Sequence, residues 1–227
     1  MKSSKNWRAV EVHYIKPSYE ELRNLAFTLY TSIRETGYLP DVNIGIGRGG
    51  LFVLRSLQDF FIAGSVKIPY LVIAVERYVG VNRTASIKVK YLNSKVIKGK
   101  KVLLIDDVAD QGISLKVSKE ECLKKGAKEV KTATLHLKPS SQFIPDFYAM
   151  VTDAWIIYPW ELYETIRQII EANVGKDPKD VYWELTSKAN VLPDELERFK
   201  RILEIEKRTE LLSFLNLMIK RQNKTGH

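Results

Sequence analysis

The sequence predicts an α/β protein: a doubly wound, mainly parallel sheet followed by a C-terminal helical extension. Three observations predict it. Short apolar runs alternate with segments of helical periodicity, the pattern of a parallel sheet with helices on both faces. The runs are near-continuously apolar rather than alternating, as strands covered on both sides should be. Polar and glycine-rich clusters fall where these runs end, and open α/β sheets bind ligands at those ends.

Residues 8–15 form a short β-rich segment. Pro17-Ser18 then opens a helix over 19–35, with Ser18 and Glu21 spaced as a capping box. Leu22, Leu25, Ala26, Leu29 and Ile33 recur at helical spacing, and Gly37 stops the helix. An apolar strand at 42–46 breaks into Gly47-Arg48-Gly49-Gly50, and a helix follows to about 61. A strand at 68–75 ends at Glu76-Arg77; a polar stretch, 78–84, leads to a strand at 86–92 with Lys88 and Lys90 alternating outward. Residues 101–105 read as a buried strand, 113–125 as a helix closed by Gly126, and 130–137 and 147–151 as strands.

After about 175 the character changes, and Asp177-Pro178-Lys179-Asp180 reads as a break. The expected division is a core over 1–175 and an extension over 176–227. Two helical patterns follow, 180–189 and 193–221. Pro193 at the first helical position, with Asp194 and Glu195 beside it, suits the positive end of a helix dipole. Leu211, Leu212, Phe214, Leu215, Leu217, Met218 and Ile219 are apolar nearly all round their helix. Such a helix must be buried, on its own domain or in a subunit interface.

Composition narrows the function classes. With 45% apolar residues in 227, the chain can bury a sizeable core. No apolar run approaches a membrane span, and the basic N-terminal stretch lacks the apolar region of a secretory signal. The single cysteine, Cys122, excludes an internal disulfide framework and reads as a small core residue. A cytoplasmic protein with no membrane partner is expected. The net charge of +9 favours an anionic partner, whether nucleic acid, a membrane surface or a small phosphorylated ligand; the charges are scattered, as on solvated faces, so charge alone does not point to nucleic acid.

The stretch "VLLIDDVADQGISL", 102–115, carries the most chemistry. Five apolar residues run into Asp106 and Asp107, and Asp110-Gln111-Gly112-Ile113-Ser114 turns into a helix. Backbone N–H groups at a helix start, with a glycine allowing close approach, make an anion cradle, and the Ser114 hydroxyl adds a donor. Carboxylates beside a phosphate repel it unless they bind hydroxyls or a metal. A ribose 5-phosphate answers both needs, with a phosphate for the turn and vicinal hydroxyls for Asp106 and Asp107.

The stretch resembles the phosphoribosyl-diphosphate signature of the type I phosphoribosyltransferases. "IGIGRGGL" is similar to that family's diphosphate-binding loop, and "LHLKPS" followed by "TDAWIIYPWE" to the base-binding region of its purine members of the xanthine-guanine and hypoxanthine kind. The three motifs keep order and spacing over about 19–160; the tail is not covered. The resemblance implies the fold of that family and transfer of a phosphoribosyl group from phosphoribosyl diphosphate to a purine base, giving a nucleoside monophosphate and diphosphate. It assigns Asp106 and Asp107 to the ribose hydroxyls and Asp110 to general acid/base work near purine N7. Asp110, Gln111, Gly112, Ile113 and Ser114 would hold the 5-phosphate, and Arg48, Gly49 and Gly50 the diphosphate, in a loop with a strained or cis peptide. Lys138 would donate to a purine 6-oxygen, Trp155 would stack on the base, and the backbone at Ile156 would read the ring edge. Mg²⁺ would be bound mostly through substrate, with Glu161 matching a carboxylate near it. A homodimer is the expected assembly.

The sequence departs from the family at Gln111, where threonine is usual, and at Ile113, where a small or basic residue often stands. Phosphate binding by backbone groups is expected to survive both. A Ser-Tyr pair found in the flexible loop of several relatives is absent between Glu76 and Leu92. A 6-oxopurine is favoured over adenine, because an ammonium facing a 6-amino group sets donor against donor. A reading from another class is a non-catalytic regulator of this fold that binds nucleic acid, motivated by the basic charge and a helix-turn-helix-like segment at 181–203; Arg48, Asp106, Asp107 and Asp110 favour the enzyme.

Overall fold

The computed structural model describes residues 12–79 and 85–222. The expected strand at 8–15 and polar stretch at 78–84 lie partly outside these. The chain divides into two compact units, Tyr19–Asp153 and Ala154 onward together with the residues before Tyr19.

In chain order, β1 (Tyr14–Ile15) precedes α1 (Tyr19–Glu35), β2 (Val42–Gly47), α2 (Gly50–Ala63), β3 (Tyr70–Val79) and β4 (Ala85–Lys90). There follow α3 (Ser94–Ile97), β5 (Lys101–Ala109), α4 (Ile113–Lys124), β6 (Glu129–Leu137), β7 (Phe147–Val151) and β8 (Trp155–Ile156). The chain ends with α5 (Leu162–Ala172), α6 (Pro178–Trp183), a π-helical turn (Glu184–Lys188), α7 (Pro193–Ile205) and α8 (Thr209–Gln222).

The larger unit is a six-stranded sheet in the order β4-β3-β2-β5-β6-β7, parallel except for the β3–β4 pair. This is the doubly wound, mainly parallel arrangement expected. On one face Val42, Ile44 and Ile46 of β2, Ile73 of β3, Val102 and Leu104 of β5 and Val130 of β6 form a core with Leu115 and Cys122 of α4. Cys122 is fully buried, and burial pushes its thiol up to about 12, so it is the inert core residue expected. The other face is covered by α1 and α2. Gly45 lets α2 approach closely: a Cβ there would stand 3.0 Å from the Leu54 side chain. Leu22, Ala26, Leu29 and Ile33 give α1 its buried stripe, and Gly37, at φ 74°, ends the run.

Three boundaries differ from expectation. Strand β5 does not stop at Ile105 but runs through both carboxylates to Ala109, because its ladder with β6 continues (Asp106 opposite Thr134, Val108 opposite His136). Strand β3 likewise extends past Glu76-Arg77 to Val79, paired antiparallel with β4. The helix expected over 193–221 is two helices: Lys207, at φ 52°, turns the chain between α7 and α8 without a glycine or proline.

In the smaller unit, Ile157, Leu162, Ile166, Ile169 and Ile170 form a core with Val181, Leu185, Leu196, Phe199, Leu203, Leu215 and Met218. Most apolar positions of the helix-turn-helix-like segment thus lie in this core, while Trp183, Leu192 and Ile202 are exposed. Helix α8 is not buried all round: Leu215 and Met218 are fully enclosed, whereas Leu217 is exposed. Proline 193 opens α7 as expected, and Glu195 accepts from the Leu192 N–H at 2.8 Å. The Lys16 ammonium reaches Glu195 and the Asn190 carbonyl, and the Tyr14 hydroxyl donates to Glu184 at 2.8 Å, tying the segment before α1 to the helices. Among the described residues, no helix is long and apolar enough to cross a membrane.

Candidate active site

Strands β2 and β5 are neighbours, but the chain leaves β2 toward β3 on one side and leaves β5 toward β6 and β7 on the other. Such a reversal opens a crevice at the carboxyl ends of the two strands. The loop after β2 and the loop after β5 both border it.

The first loop, Gly47-Arg48-Gly49-Gly50, contains a cis Gly47–Arg48 peptide bond, as the resemblance implied. Gly49 and Gly50 are buried, while Arg48 is exposed. Each glycine has a steric reason. A Cβ on Gly50 would stand 2.4 Å from the Ile105 carbonyl oxygen, and one on Gly49 would stand 1.8 Å from Asp107 Oδ2. The loop therefore lies flat on the end of β5, and no side chain larger than hydrogen fits beneath it.

Asp106 and Asp107 resolve their mutual repulsion through the strand period, since consecutive residues point to opposite faces. Asp107 turns to the α2 face, under Gly49, and is 7% exposed. Its Oδ1 accepts from the Val108 N–H at 2.8 Å, and Asp106 Oδ1 accepts from the Asp107 N–H at 3.0 Å. Asp106 is partly open, on the face that carries α4.

After β5 the chain turns through exposed Asp110 and Gln111 to Gly112, which adopts φ 71°. Gly112 is needed twice over. Its conformation disfavours a side chain, and a Cβ would lie 2.7 Å from both Ser141 Oγ and Phe143 Cβ. The 141–143 segment thus props the turn from below, with the Gln142 N–H donating to the Gln111 carbonyl at 3.3 Å. Helix α4 begins at Ile113, and Ile113, Ser114 and Leu115 contribute first-turn N–H groups that have no acceptor within a helix. With the helix dipole they favour an anion at this turn.

Lys138 follows β6 and is half-buried. Its N–H donates to the Ala109 carbonyl at 3.0 Å, which sets it beside Asp110. Burial pulls its ammonium below the usual lysine range, while the Asp110 and Asp153 carboxylates hold it up. His136, two residues earlier, is 1% exposed, and burial, helped by Lys138, brings it down to about 4. It is neutral at physiological pH, as a structural histidine should be.

The larger unit therefore brings Arg48, Gly49, Gly50, Asp106, Asp107, 110–114 and Lys138 to the carboxyl edge of one sheet. Three residues expected at the site belong to the smaller unit. Trp155 is 49% exposed on β8, whose pairing with β1 is anchored by its N–H donating to the His13 carbonyl at 2.7 Å. It lines a cavity of about 590 Å³ with Tyr14, Thr165, Asn173, Glu184 and Lys188. Ile156 is buried beside it, and Glu161 stands at the start of α5. Trp160 packs, stacking on buried Tyr158 at 4.8 Å between ring centres. Asp153, whose carboxylate acts electrostatically on Lys138, was not singled out from the sequence. It follows the end of β7, where the Thr152 N–H donates to the Leu137 carbonyl at 3.1 Å.

Among the described residues, no cluster of three or more His, Cys, Asp or Glu side chains is placed to hold a metal. The carboxylates at this edge, Asp106, Asp107 and Asp110, are oxygen donors, the kind Mg²⁺ prefers.

Comparison with known proteins agrees with this geometry. The phosphoribosyl transferase domain model matches residues 11–165. The hypoxanthine-guanine phosphoribosyltransferase of Schizosaccharomyces pombe is 26% identical over 180 residues, 63% of this chain and 87% of that protein. The orotate phosphoribosyltransferase of Saccharolobus solfataricus is 33% identical over 114 residues, 49% of this chain and 50% of that one. Among solved structures, the purine phosphoribosyltransferase from Pyrococcus horikoshii is 35% identical with a TM-score of 0.56, covering 66% of this chain and 94% of that one.

Proposed function

Because this chain belongs to the phosphoribosyltransferase family, we propose that it transfers the 5-phosphoribosyl group from phosphoribosyl diphosphate to a purine base, a 6-oxopurine in preference to adenine. The observation that carries the choice of base is the placement of Lys138: its N–H donates to the Ala109 carbonyl at 3.0 Å, next in the chain to Asp110, so an ammonium and a carboxylate stand at the same carboxyl edge of the sheet. An ammonium donates to a 6-oxygen but meets only donors at a 6-amino group.

The bond from ribose C1 to the diphosphate oxygen breaks, and a bond from C1 to a purine nitrogen forms. Positive charge develops on the ribose meanwhile. Asp106 and Asp107 hold the 2- and 3-hydroxyls and stabilise that charge. The α4 N-terminus, from Asp110 through Ser114, anchors the 5-phosphate. Arg48 and the backbone of Gly49 and Gly50 hold the leaving diphosphate, which departs with its electron pair. Asp110, within reach of N7, moves the proton that the base must lose. Trp155 stacks on the purine, and the backbone at Ile156 reads its edge. Mg²⁺, when bound, neutralises diphosphate charge, with Glu161 as the carboxylate offered to it. A cytoplasmic homodimer is the form in which we expect it to act, with the extension over 176–227 completing the smaller unit.

The test is an assay of the full chain with phosphoribosyl diphosphate, Mg²⁺ and, in separate reactions, hypoxanthine, guanine, xanthine, adenine and orotate. Hypoxanthine, guanine or xanthine is expected to be converted to the monophosphate with release of diphosphate. Adenine far ahead of hypoxanthine would overturn the 6-oxopurine choice alone. The match to an orotate enzyme gives the last arm its purpose: orotate as the sole substrate would overturn the purine reading.

A further inference from the structure

Lysines that are scattered along the sequence are gathered by the fold. Two turns meet at the amino edge of the larger unit's sheet: Lys98-Gly99-Lys100, between α3 and β5, and Lys125-Gly126-Ala127-Lys128, between α4 and β6. The Gly99 N–H donates to the Gly126 carbonyl at 2.7 Å, and the Lys128 N–H donates to the Lys100 carbonyl at 2.8 Å. The Lys98 stem lies against the second turn, since a Cβ on Gly126 would meet Lys98 Cγ at 3.4 Å. Segments 98–101 and 124–129 thus join six lysines with one carboxylate, Glu129. Lys95 stands three residues before Lys98, in α3.

Lys95, Lys98, Lys100, Lys124 and Lys128 are exposed, and none of them is in an ion pair among the described residues. The acids that flank them are engaged elsewhere or lie to one side. Asp41 Oδ2 accepts from the Lys101 N–H at 2.8 Å, and Glu121 pairs with Lys125 at 3.7 Å. Glu120 is exposed one turn back on α4. Like charges held together repel, and a polyanion removes that repulsion. The ligands of the candidate active site do not serve here. The patch is at the start of β5 and β6, whereas Asp106–Asp110 and Lys138 follow at their other ends. At about 3.3 Å per residue, the length of β5 separates the two edges by about 25 Å.

We propose that this amino edge is a second binding surface, which holds nucleic acid by its phosphate backbone and is independent of the transferase reading. Every cation in the two turns is a lysine, a flexible point charge without the planar fork that reads a base edge. Such contacts position a backbone and carry no sequence information. A membrane surface fits less well, because interfacial segments set large apolar or aromatic side chains among their cations. Between these lysines stand Gly99, Gly126 and Ala127, and Leu123 alone is exposed at the flank. The surface is also distinct from the helix-turn-helix-like segment, whose apolar positions mostly build the core of the smaller unit.

The experiment measures binding of the full chain to fluorescein-labelled single-stranded RNA and to a DNA duplex, both of mixed sequence, by anisotropy from about 50 to 200 mM salt. Counterion release by about five lysines predicts a slope of log K against log salt of about −3.5 to −4.5, so affinity should fall by about 10²-fold across the series. Lys98→Ala/Lys100→Ala/Lys128→Ala should weaken binding and flatten the slope by about 2 to 3. Lys98→Arg/Lys100→Arg/Lys128→Arg, which keeps the charge, should bind as wild type does. Arg198→Ala/Lys200→Ala/Arg201→Ala removes the same charge from α7 and should leave the slope unchanged. Circular dichroism verifies that each variant is folded. No binding of either probe at about 50 mM salt would overturn the proposal. An alanine variant of the two turns with the wild-type slope would overturn it too, as would an equal loss in the α7 variant, which would assign binding to net charge. Vesicles of phosphatidylcholine and phosphatidylserine form the last arm: binding to them through the same lysines, with neither nucleic acid bound, would overturn it in favour of a membrane surface.

Discussion

The carboxylate of Asp107 occupies the space that a side chain on Gly49 would need: a Cβ there would lie 1.8 Å from Oδ2 and 2.3 Å from Cγ. A loop and a strand end that are far apart in sequence are thereby locked together, the one expected to hold a diphosphate and the other a ribose. Gly49→Ala must push either Asp107 or the 47–50 loop out of place. A displacement of about 1 Å in a positioned site can cost on the order of 10²-fold in rate, so kcat/KM should fall by about that factor. Steady-state kinetics, with circular dichroism to verify the fold, measure it. Activity within about twofold of wild type would show that the close contact does not position the site.

Asp110 is exposed at the turn where β5 passes into α4, and it is not part of any core. Asp110→Asn should therefore leave thermal stability nearly unchanged while lowering kcat by roughly 10²-fold or more, as loss of a general acid/base does. Near-normal turnover at saturating substrate would remove that role from it.

How much of this was legible in the sequence depends on what kind of force sets each feature. Strands β2, β5 and β6 were legible because burial on both faces demands unbroken apolar runs. The turn at Gly112 was legible because a loop that must approach an anion closely, at positive φ, calls for glycine. The length of β5 was not, because its last four residues are held by backbone ladder bonds to β6 while two of their side chains are charged. The break at Lys207 was also hidden, since a lysine takes the positive φ that glycine usually signals. Asp153 was invisible for a third reason. Its charge reaches Lys138 because β6 and β7 are neighbours in the sheet, which no local pattern in either segment records.

His136 gives the fold a predictable acid sensitivity. Its folded pKa, about 4, lies below the ordinary value of 6.5 because burial disfavours the imidazolium. Below 6.5 the unfolded chain binds a proton that the folded chain does not, so stability rises with pH in this window. The contribution is fully present above about pH 6.5 and is lost as pH falls toward 4. A difference of this size corresponds to about 3 kcal/mol at most. Urea midpoints at pH 7 and pH 4.5 should therefore differ more for wild type than for His136→Gln, whatever the variant's stability at pH 7. An equal pH dependence in the two proteins would show that His136 does not carry this sensitivity.

The segment beyond Gly175 supplies nine of the fourteen buried residues of one core. Leu215 and Met218 of α8 are fully buried together with Ile166 and Ile170 of α5, and Val181, Leu185, Leu196, Phe199 and Leu203 belong to the same cluster. Each such side chain stabilises by about 1.5–3 kcal/mol relative to exposure. Losing these residues matches or exceeds what a whole domain has to spare, since net stabilities are about 5–15 kcal/mol. Truncation after Gly175 should leave Ile166, Ile169 and Ile170 in water and give aggregated protein by light scattering. A single cut into the same core separates packing from assembly. Leu215→Ala should lower stability by about 2–5 kcal/mol in urea unfolding while the scattering mass of the folded protein stays that of wild type, because this side chain faces its own unit. A soluble, fully stable truncated chain would show that the core over Leu162–Ala172 closes without the extension. A Leu215→Ala variant that kept its stability but changed its mass would move this face of α8 from the core to a subunit interface.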